Sequence, residues 1–398
     1  MRQQPQWLMD LRAQASASAH SQGVPSRKNE AWRYTSAAQF LLTEDISAVG
    51  PVDGEVPEVK SKALDISHSE ALPAGAFFGT FEEALHHPQA AAALETHLGT
   101  ISAWRAESLD AWNLARFQEG VLLYVPAGTE CSLPLEVRHG AGGGSPQWNR
   151  VLIVLEDNAR AQLAEIHASA SDTTTPQRSL DITEIALGQG AKLVYGRLGF
   201  QASDAIAWSA TSIRQSAASQ LEAFAFELGA GYARNEIRVL LEAPGAEASL
   251  RSALRADASR HLDMQTVFDH KAPDCRSQQV VKGVFDGEST GVFHGRVYVQ
   301  PGAHGTKAQQ SNRNLLLSRK AQVYSRPQLE IENDDVQASH GSATGNLDEK
   351  ALFFLRSRGF SPSHARALLV RAFLREITDA LPWPTLRGRA NEFFGGEE

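Results

Sequence analysis

Gly291-Val292-Phe293-His294-Gly295-Arg296-Val297-Tyr298-Val299 alternates at a period of two. β-Branched and aromatic residues in that rhythm fit a half-buried strand, whose successive side chains point to opposite faces. Working outward, Val121-Leu122-Leu123-Tyr124-Val125 and Leu133-Pro134-Leu135-Glu136-Val137 read the same way, and no convincing long helix interrupts residues 116 to 335. Turn-like patches of Gly, Asn, Ser or Pro, mostly with Ala, punctuate this zone. Their centres lie near Gly128, Ala159, Ala191, Ala218, Ala246, Cys275 and Ala303, at intervals of 31, 32, 27, 28, 29 and 28 residues. A repeat in the range of roughly 20 to 50 residues marks a solenoid or propeller. Coils of this length with a few short strands each suit a parallel β-helix, in which stacked coils bury alternate residues. A large sandwich with long hairpins is the alternative that spacing leaves open.

The flanks differ. Residues 1–115 lean helical: Trp7 to Ala15 carries apolar positions at 7, 8, 11 and 15, and Gly23-Val24-Pro25 ends the run. Val49-Gly50-Pro51-Val52-Asp53-Gly54 reads as a loop. Alanine- and leucine-rich sequence from Phe81 to Phe117 has breaks at Pro88 and Gly99. Residues 336–398 form the third zone. There Asn346 or Asp348 caps a short helix over Ala351 to Leu355, with Gly359 just beyond it. Ser361-Pro362 opens an amphipathic helix with apolar residues at Ala365, Leu368, Leu369, Ala372, Phe373, Ile377 and Ala380, stopped by Pro382 and Pro384. Between 351 and 390 seven arginines face only two acids, Glu376 and Asp379. The helix either docks on its own β domain or forms a partner surface rimmed by arginine.

Composition removes several functions. The 398 residues hold two cysteines, Cys131 and Cys275, too few and too far apart for a disulfide framework or a four-thiolate metal site. Thirty-eight basic against 46 acidic residues give −8, with no basic excess for nucleic acid. Met1 to Trp7 lacks the apolar run of a signal peptide, and no segment approaches the roughly 20 apolar residues of a membrane span. The expectation is a soluble, cytoplasmic protein. No P-loop, dinucleotide fingerprint or nucleophile elbow occurs. Gly142-Gly143-Gly144-Ser145-Pro146 lacks the P-loop lysine and reads as a surface loop.

Thirteen histidines include His261, His270, His294, His304 and His340 on or beside the β zone. His270 and Cys275 are five apart, but no second pair completes a zinc set. Asp334-Asp335-Val336-Gln337-Ala338-Ser339-His340-Gly341-Ser342-Ala343-Thr344-Gly345 reads as a connector from the last strand to the terminal helices. Small neighbours leave the His340 imidazole accessible to a second chain or to iron and other borderline metals. A surface histidine in a loop is the plainer alternative.

Four segments together resemble a known family. Ser339-His340-Gly341, Leu347-Asp348-Glu349 and Ala351 to Gly359 look like the C-terminal signature of the SufB/SufD family of iron–sulfur cluster assembly proteins. Pro25 to Thr35, Val280 to Phe285, and Gln309 to Ser318 followed by Pro327 to Ile331 are similar to further motifs of that family, in the same order. The likeness is nearer to the SufD branch. Where the family usually has Cys-Ser-His-Gly-Ala-Thr, this chain has Ala338-Ser339-His340-Gly341-Ser342-Ala343, so the cysteine is missing.

The resemblance implies a right-handed parallel β-helix core between helical ends. It implies a non-catalytic scaffold that binds no cofactor stably alone and meets a transient iron–sulfur cluster in complex with SufB. His340 matches the functional histidine at the SufB–SufD interface, which the last β-helix strands would form. The ATPase SufC would dock on the C-terminal helices, making Arg356, Arg358, Leu368, Leu369, Arg371, Phe373 and Arg375 the expected contacts. A homodimer of the lone chain is a further expectation. Two rival readings are a β-helix enzyme acting on acidic polysaccharide, with Asp334 and Asp335 near a catalytic or calcium site, and a SufB-like homodimeric cluster scaffold.

Overall fold

The structure, a computed structural model, describes residues 4–41, 64–67, 72–140, 146–169 and 177–395. The loops read at 49–54 and 142–145 lie outside these residues.

Gly128, Asn158, Gly190, Ala218, Gly245, Asp274 and Gly305 all adopt the left-handed conformation, with φ between 52° and 71°. Each donates its backbone N–H to a carbonyl one coil further on: Asp157, Gln189, Ala217, Pro244, Pro273, His304 and Asp335 in turn, over 2.7–3.1 Å. These stacked turns are the patches read from the sequence, each within two residues of its expected centre. Every turn reverses the chain from one sheet to the other, so the spacing between turns is the coil length.

Two nine-stranded sheets result. One holds β1 (Leu64–Ser67), β4 (Leu135–His139), β6 (Arg160–Ala168), β8 (Lys192–Phe200), β10 (Gln220–Glu227), β12 (Glu247–Ala256), β14 (Arg276–Phe285), β16 (Thr306–Leu316) and β18 (Val336–Gly345), in that order. The other holds β2 (Phe77–Thr80), β3 (Glu119–Val125), β5 (Gln147–Leu155), β7 (Arg178–Leu187), β9 (Ile206–Gln215), β11 (Tyr232–Leu241), β13 (His261–His270), β15 (Thr290–Val299) and β17 (Gln322–Ile331). From β3 onward all pairing is parallel and coil follows coil, giving the expected parallel β-solenoid rather than a sandwich of hairpins. β1 and β2 pair antiparallel with β4 and β3 and cover the starting edge.

Alternation follows from the stack: one face of every strand fills the lumen. Val121, Leu123, Val151, Ile153, Leu163, Leu193, Ile213, Leu250, Met264 and Phe293 meet there, all at most 2% exposed. Part of the opposite face of each sheet is covered by helices. α1 (Gln6–Gln22), α2 (Phe81–Ala84), α3 (Pro88–His97) and α4 (Ser108–Arg116) pack Leu8, Leu94, Leu109 and Trp112 against the outward residues Leu122, Leu152, Leu180 and Trp208. The breaks expected at Gly23 and Pro88 are a left-handed helix end and a proline in the first turn of α3.

At the other end come α5 (Glu349–Ser357), α6 (Pro362–Thr378) and α7 (Pro384–Gly395). Asp348 and Ser361 cap α5 and α6 by accepting from Lys350 N–H and His364 N–H. The docked face of α6 is Ala365, Val370, Leu374 and Ile377, packed with Trp383, Leu386 and Phe394 on the outward Phe200, Phe224 and Phe226. No described helix is long and apolar enough to cross a membrane.

One reading is corrected. The segment taken as a connector, Val336 to Gly345, is itself the last strand, paired in parallel along Thr306–Leu315. It lacks an apolar rhythm because no further coil stacks on it.

Candidate functional site

The solenoid is capped at its start and open at its end. β17 and β18 are the terminal strands of their sheets, so each leaves one row of backbone groups without a neighbouring strand among the described residues. In-register stacking places His340 above Gln310, Gln279, Leu250, Ala223, Tyr195 and Leu163, all buried lumen residues. His340 is therefore a lumen-facing residue exposed only because the stack stops there.

The lumen turns polar as it nears this end. Ser325 on β17 donates to Asn312 and shares a 2.7 Å hydrogen bond with Ser342 on β18, closing the two strands onto each other. Asn314 donates to Asn312 at 2.7 Å, and Thr266 donates to Gln279 at 2.7 Å. The outer side of β17 is braced by the N-terminal motif: Tyr34 stacks on Tyr324 at 4.2 Å, and Glu30 pairs with Arg326. Trp32, 2% exposed, lies under the Arg234 guanidinium, which donates to Ala31 O and Asp263. Motifs at opposite ends of the sequence thus meet on the last coil.

Ala338, where the resemblance to the SufB/SufD family implies a cysteine, shares the lumen-facing side with His340 and sits over Ala308. Neither thiol of the chain compensates. Cys131 and Cys275 are buried in the first and sixth turns of the stack, and burial pushes both thiols up, away from reactive thiolate. The other histidines singled out do not join His340. His261 bonds Thr35, His294 lies between Gln265 and Gln328, His270 bonds Ser277 inside the lumen, and the carbonyl of His304 belongs to the turn stack.

Of the expected partner contacts, Arg356 and Arg358 are exposed at the end of α5, and Arg375 is exposed but paired with Asp379 at 2.8 Å. Leu368, Leu369, Arg371 and Phe373 are half-buried on α6. Phe373 is engaged by the solenoid: Lys282 Nζ donates to its carbonyl at 2.7 Å and lies 5.1 Å from its ring centre. Sequence reasoning missed the most exposed aromatics, Phe353 at 74% and Phe354 at 56%, both on α5, which buries none of its residues. Their signal is the run Ala351 to Leu355, too apolar for a helix that faces only water. Also missed is a buried group in the first coils, His139, His167 and Asp181. Its signal is the 28-residue step from His139 to His167, one coil in length.

A family model described as the SufBD core domain of the SUF system for iron–sulfur cluster assembly matches residues 137–373. The chain belongs to the SufB/SufD family. Among its SufBD relatives, a SufBD family protein of Synechocystis is 28% identical over 97% of this chain and 90% of its own. One from Mycobacterium tuberculosis is 30% identical over 69% of this chain and 70% of its own. The SufD protein of Escherichia coli is 26% identical over 90% of this chain and 86% of its own. The family match places the protein in iron–sulfur cluster assembly and spans the solenoid from β4 into α6.

Proposed function

We propose that this chain is a SufD-like, non-catalytic scaffold subunit of the cytoplasmic SUF apparatus, pairing with a SufB-type chain through the open end of its solenoid. The observation that carries this reading is His340: a lumen-facing imidazole exposed on a terminal strand, beside an unpaired edge and with no thiolate near it in sequence. A partner that adds strands to β17 and β18 would cover His340 and bring its own thiolates to it. The cluster is then cargo held between two chains, with an imidazole as this chain's contribution.

The ATPase subunit, of SufC type, has its contact on α5 in this reading. Phe353 and Phe354 are exposed there and Phe360 just beyond its end, with Arg356 and Arg358 at the rim. Exposed aromatic anchors rimmed by arginine are the usual composition of a docking patch.

The test is reconstitution with SufB-type and SufC-type partners. His340→Ala is expected to cut cluster formation at least tenfold while the complex still co-purifies. Undiminished assembly by that variant overturns the histidine's role. Loss of the SufB-type partner from the complex on changing α5 but not on changing β18 would overturn the proposed strand-to-strand interface.

A further inference from the structure

The lumen holds a second polar region, far from His340 and independent of the scaffold reading. His139 ends β4, and His167 stands beside it on β6, their rings stacked with centroids 3.9 Å apart. Asp181 reaches them from β7 in the facing sheet: its Oδ1 is 3.8 Å from His139 Nδ1, and its Oδ2 is 3.3 Å from His167 Nδ1 without the alignment of a hydrogen bond. The three residues are 5%, 2% and 3% exposed. Four of their polar atoms have no hydrogen-bond partner among the described residues: His139 Nδ1, both His167 nitrogens and Asp181 Oδ2. Leaving such a group buried and unsatisfied is costly. Four in one place form a site shaped for an occupant.

Neighbours orient these atoms. Glu165, 1% exposed, bonds His139 Nε2 at 2.8 Å and accepts from Thr183 at 2.6 Å and Tyr195 at 2.8 Å. That carboxylate accepts the His139 Nε2 proton and leaves Nδ1 facing Asp181, a carboxylate–histidine contact of the kind that positions a metal-binding ring. Asn149 donates to Asp181 Oδ1 at 2.9 Å and leaves Oδ2 open. Glu165 and Asp181 bring two negative charges. The nearby Arg197 is paired with Glu227 at 3.0 Å. A cavity of about 20 Å³ adjoins the histidines, lined also by Asn149 and Gln201, whose buried Oε1 has no partner. That volume holds about one water.

We infer that His139, His167 and Asp181 bind one divalent first-row transition ion, iron(II) or zinc, with Glu165 and Asn149 as positioning residues and a water completing the set. The ligand atoms lie within 4.8 Å of one another, and binding turns the two rings out of their present stack so that both lone pairs meet the ion at roughly 2.1 Å. Two imidazoles and one carboxylate suit iron(II) or zinc, whereas calcium and magnesium prefer all-oxygen shells. The divalent charge neutralises the two carboxylates.

The test uses the full chain, stripped of metal and titrated anaerobically with cobalt(II) as a spectroscopic probe, then with iron(II), zinc and magnesium. The wild type is expected to take up one equivalent of cobalt with visible ligand-field bands, to release it to zinc, and to show a Tm that rises with cobalt or zinc but not with magnesium. His167→Ala and Asp181→Asn are expected to lose the bands, and His340→Ala to keep them. Wild-type protein with neither bands nor a metal-dependent Tm overturns the inference, whatever the variants do. Bands that vanish in His340→Ala and survive in His167→Ala overturn it too, by moving the ion to the open end.

Discussion

His270 shows what a single side chain costs in this lumen. It closes β13, fully buried, with Nε2 bonded to Ser277 at 2.8 Å and Nδ1 unpartnered. Burial pushes its pKa down from the ordinary 6.5 to about 4. The folded chain therefore keeps the ring neutral where the unfolded chain protonates it. The associated stability is intact above pH 6.5 and is lost as the pH falls toward 4, by up to about 3 kcal/mol. His270→Gln is expected to remove that pH-dependent loss. Urea unfolding of both proteins at pH 7 and pH 4 checks this; parallel pH profiles would contradict it. His340 has the opposite situation, on the same side of its sheet but with no coil above it, so its ring stays available.

At the scale of elements, the turn column explains both what is legible in the sequence and what is not. Each turn needs one left-handed residue, which Gly, Asn and Asp adopt readily, so the position recurs although its identity drifts. Ala218 is the member with the least suitable side chain, at φ 52°. Ala218→Gly is expected to stabilise the protein by about 0.5–1 kcal/mol, since relief of left-handed strain exceeds the added freedom of the unfolded chain. An unchanged or lowered Tm would refute it.

β18 escaped a strand reading for a physical reason. Ala338, His340, Ser342 and Thr344 face a lumen that ends with them, so nothing selects for apolar side chains there. The docked face of α6 is legible only in part. The expected stripe holds Ala365 and Ile377 but lacks Val370 and Leu374, which the curved seat beside Trp383 buries. Each contributes about 1.5–3 kcal/mol on burial, so deleting α6 would unseat the sheet cover and confound any partner assay. Point changes on α5 avoid this. Phe353→Asp with Phe354→Asp is expected to abolish binding of the ATPase subunit in a pull-down with Tm unchanged. Retained binding would remove α5 from the interface.

The whole molecule is a one-dimensional stack, and its stability is distributed accordingly. Inner coils have neighbours above and below, and the first coil has β1, β2 and the N-terminal helices. The last coil has one neighbour, the Tyr34–Tyr324 contact and the Ser325–Ser342 bridge. Amide hydrogen exchange is expected to be slowest in β7 to β12 and fastest in β18, with protection of β17 and β18 rising when a SufB-type partner is added. Uniform protection along the stack, or no change on adding the partner, would contradict this. The three-zone organisation is legible because period and composition change together, at the first strand and again at the terminal helices. The buried His139, His167 and Asp181 group is not, because its members come from three strands and become neighbours only once the coil register is known.

In-register pairing has a metric consequence. From β4, which carries His139, to β18, which carries His340, there are seven strand steps in one sheet. At about 4.8 Å per step the two imidazole stations stand roughly 34 Å apart. The solenoid is thus a ruler graduated in coils. Removing one inner coil would shorten that separation by a single graduation while leaving each station's own neighbours intact, so the protein's reach can change in evolution by counting, without redesign of either end.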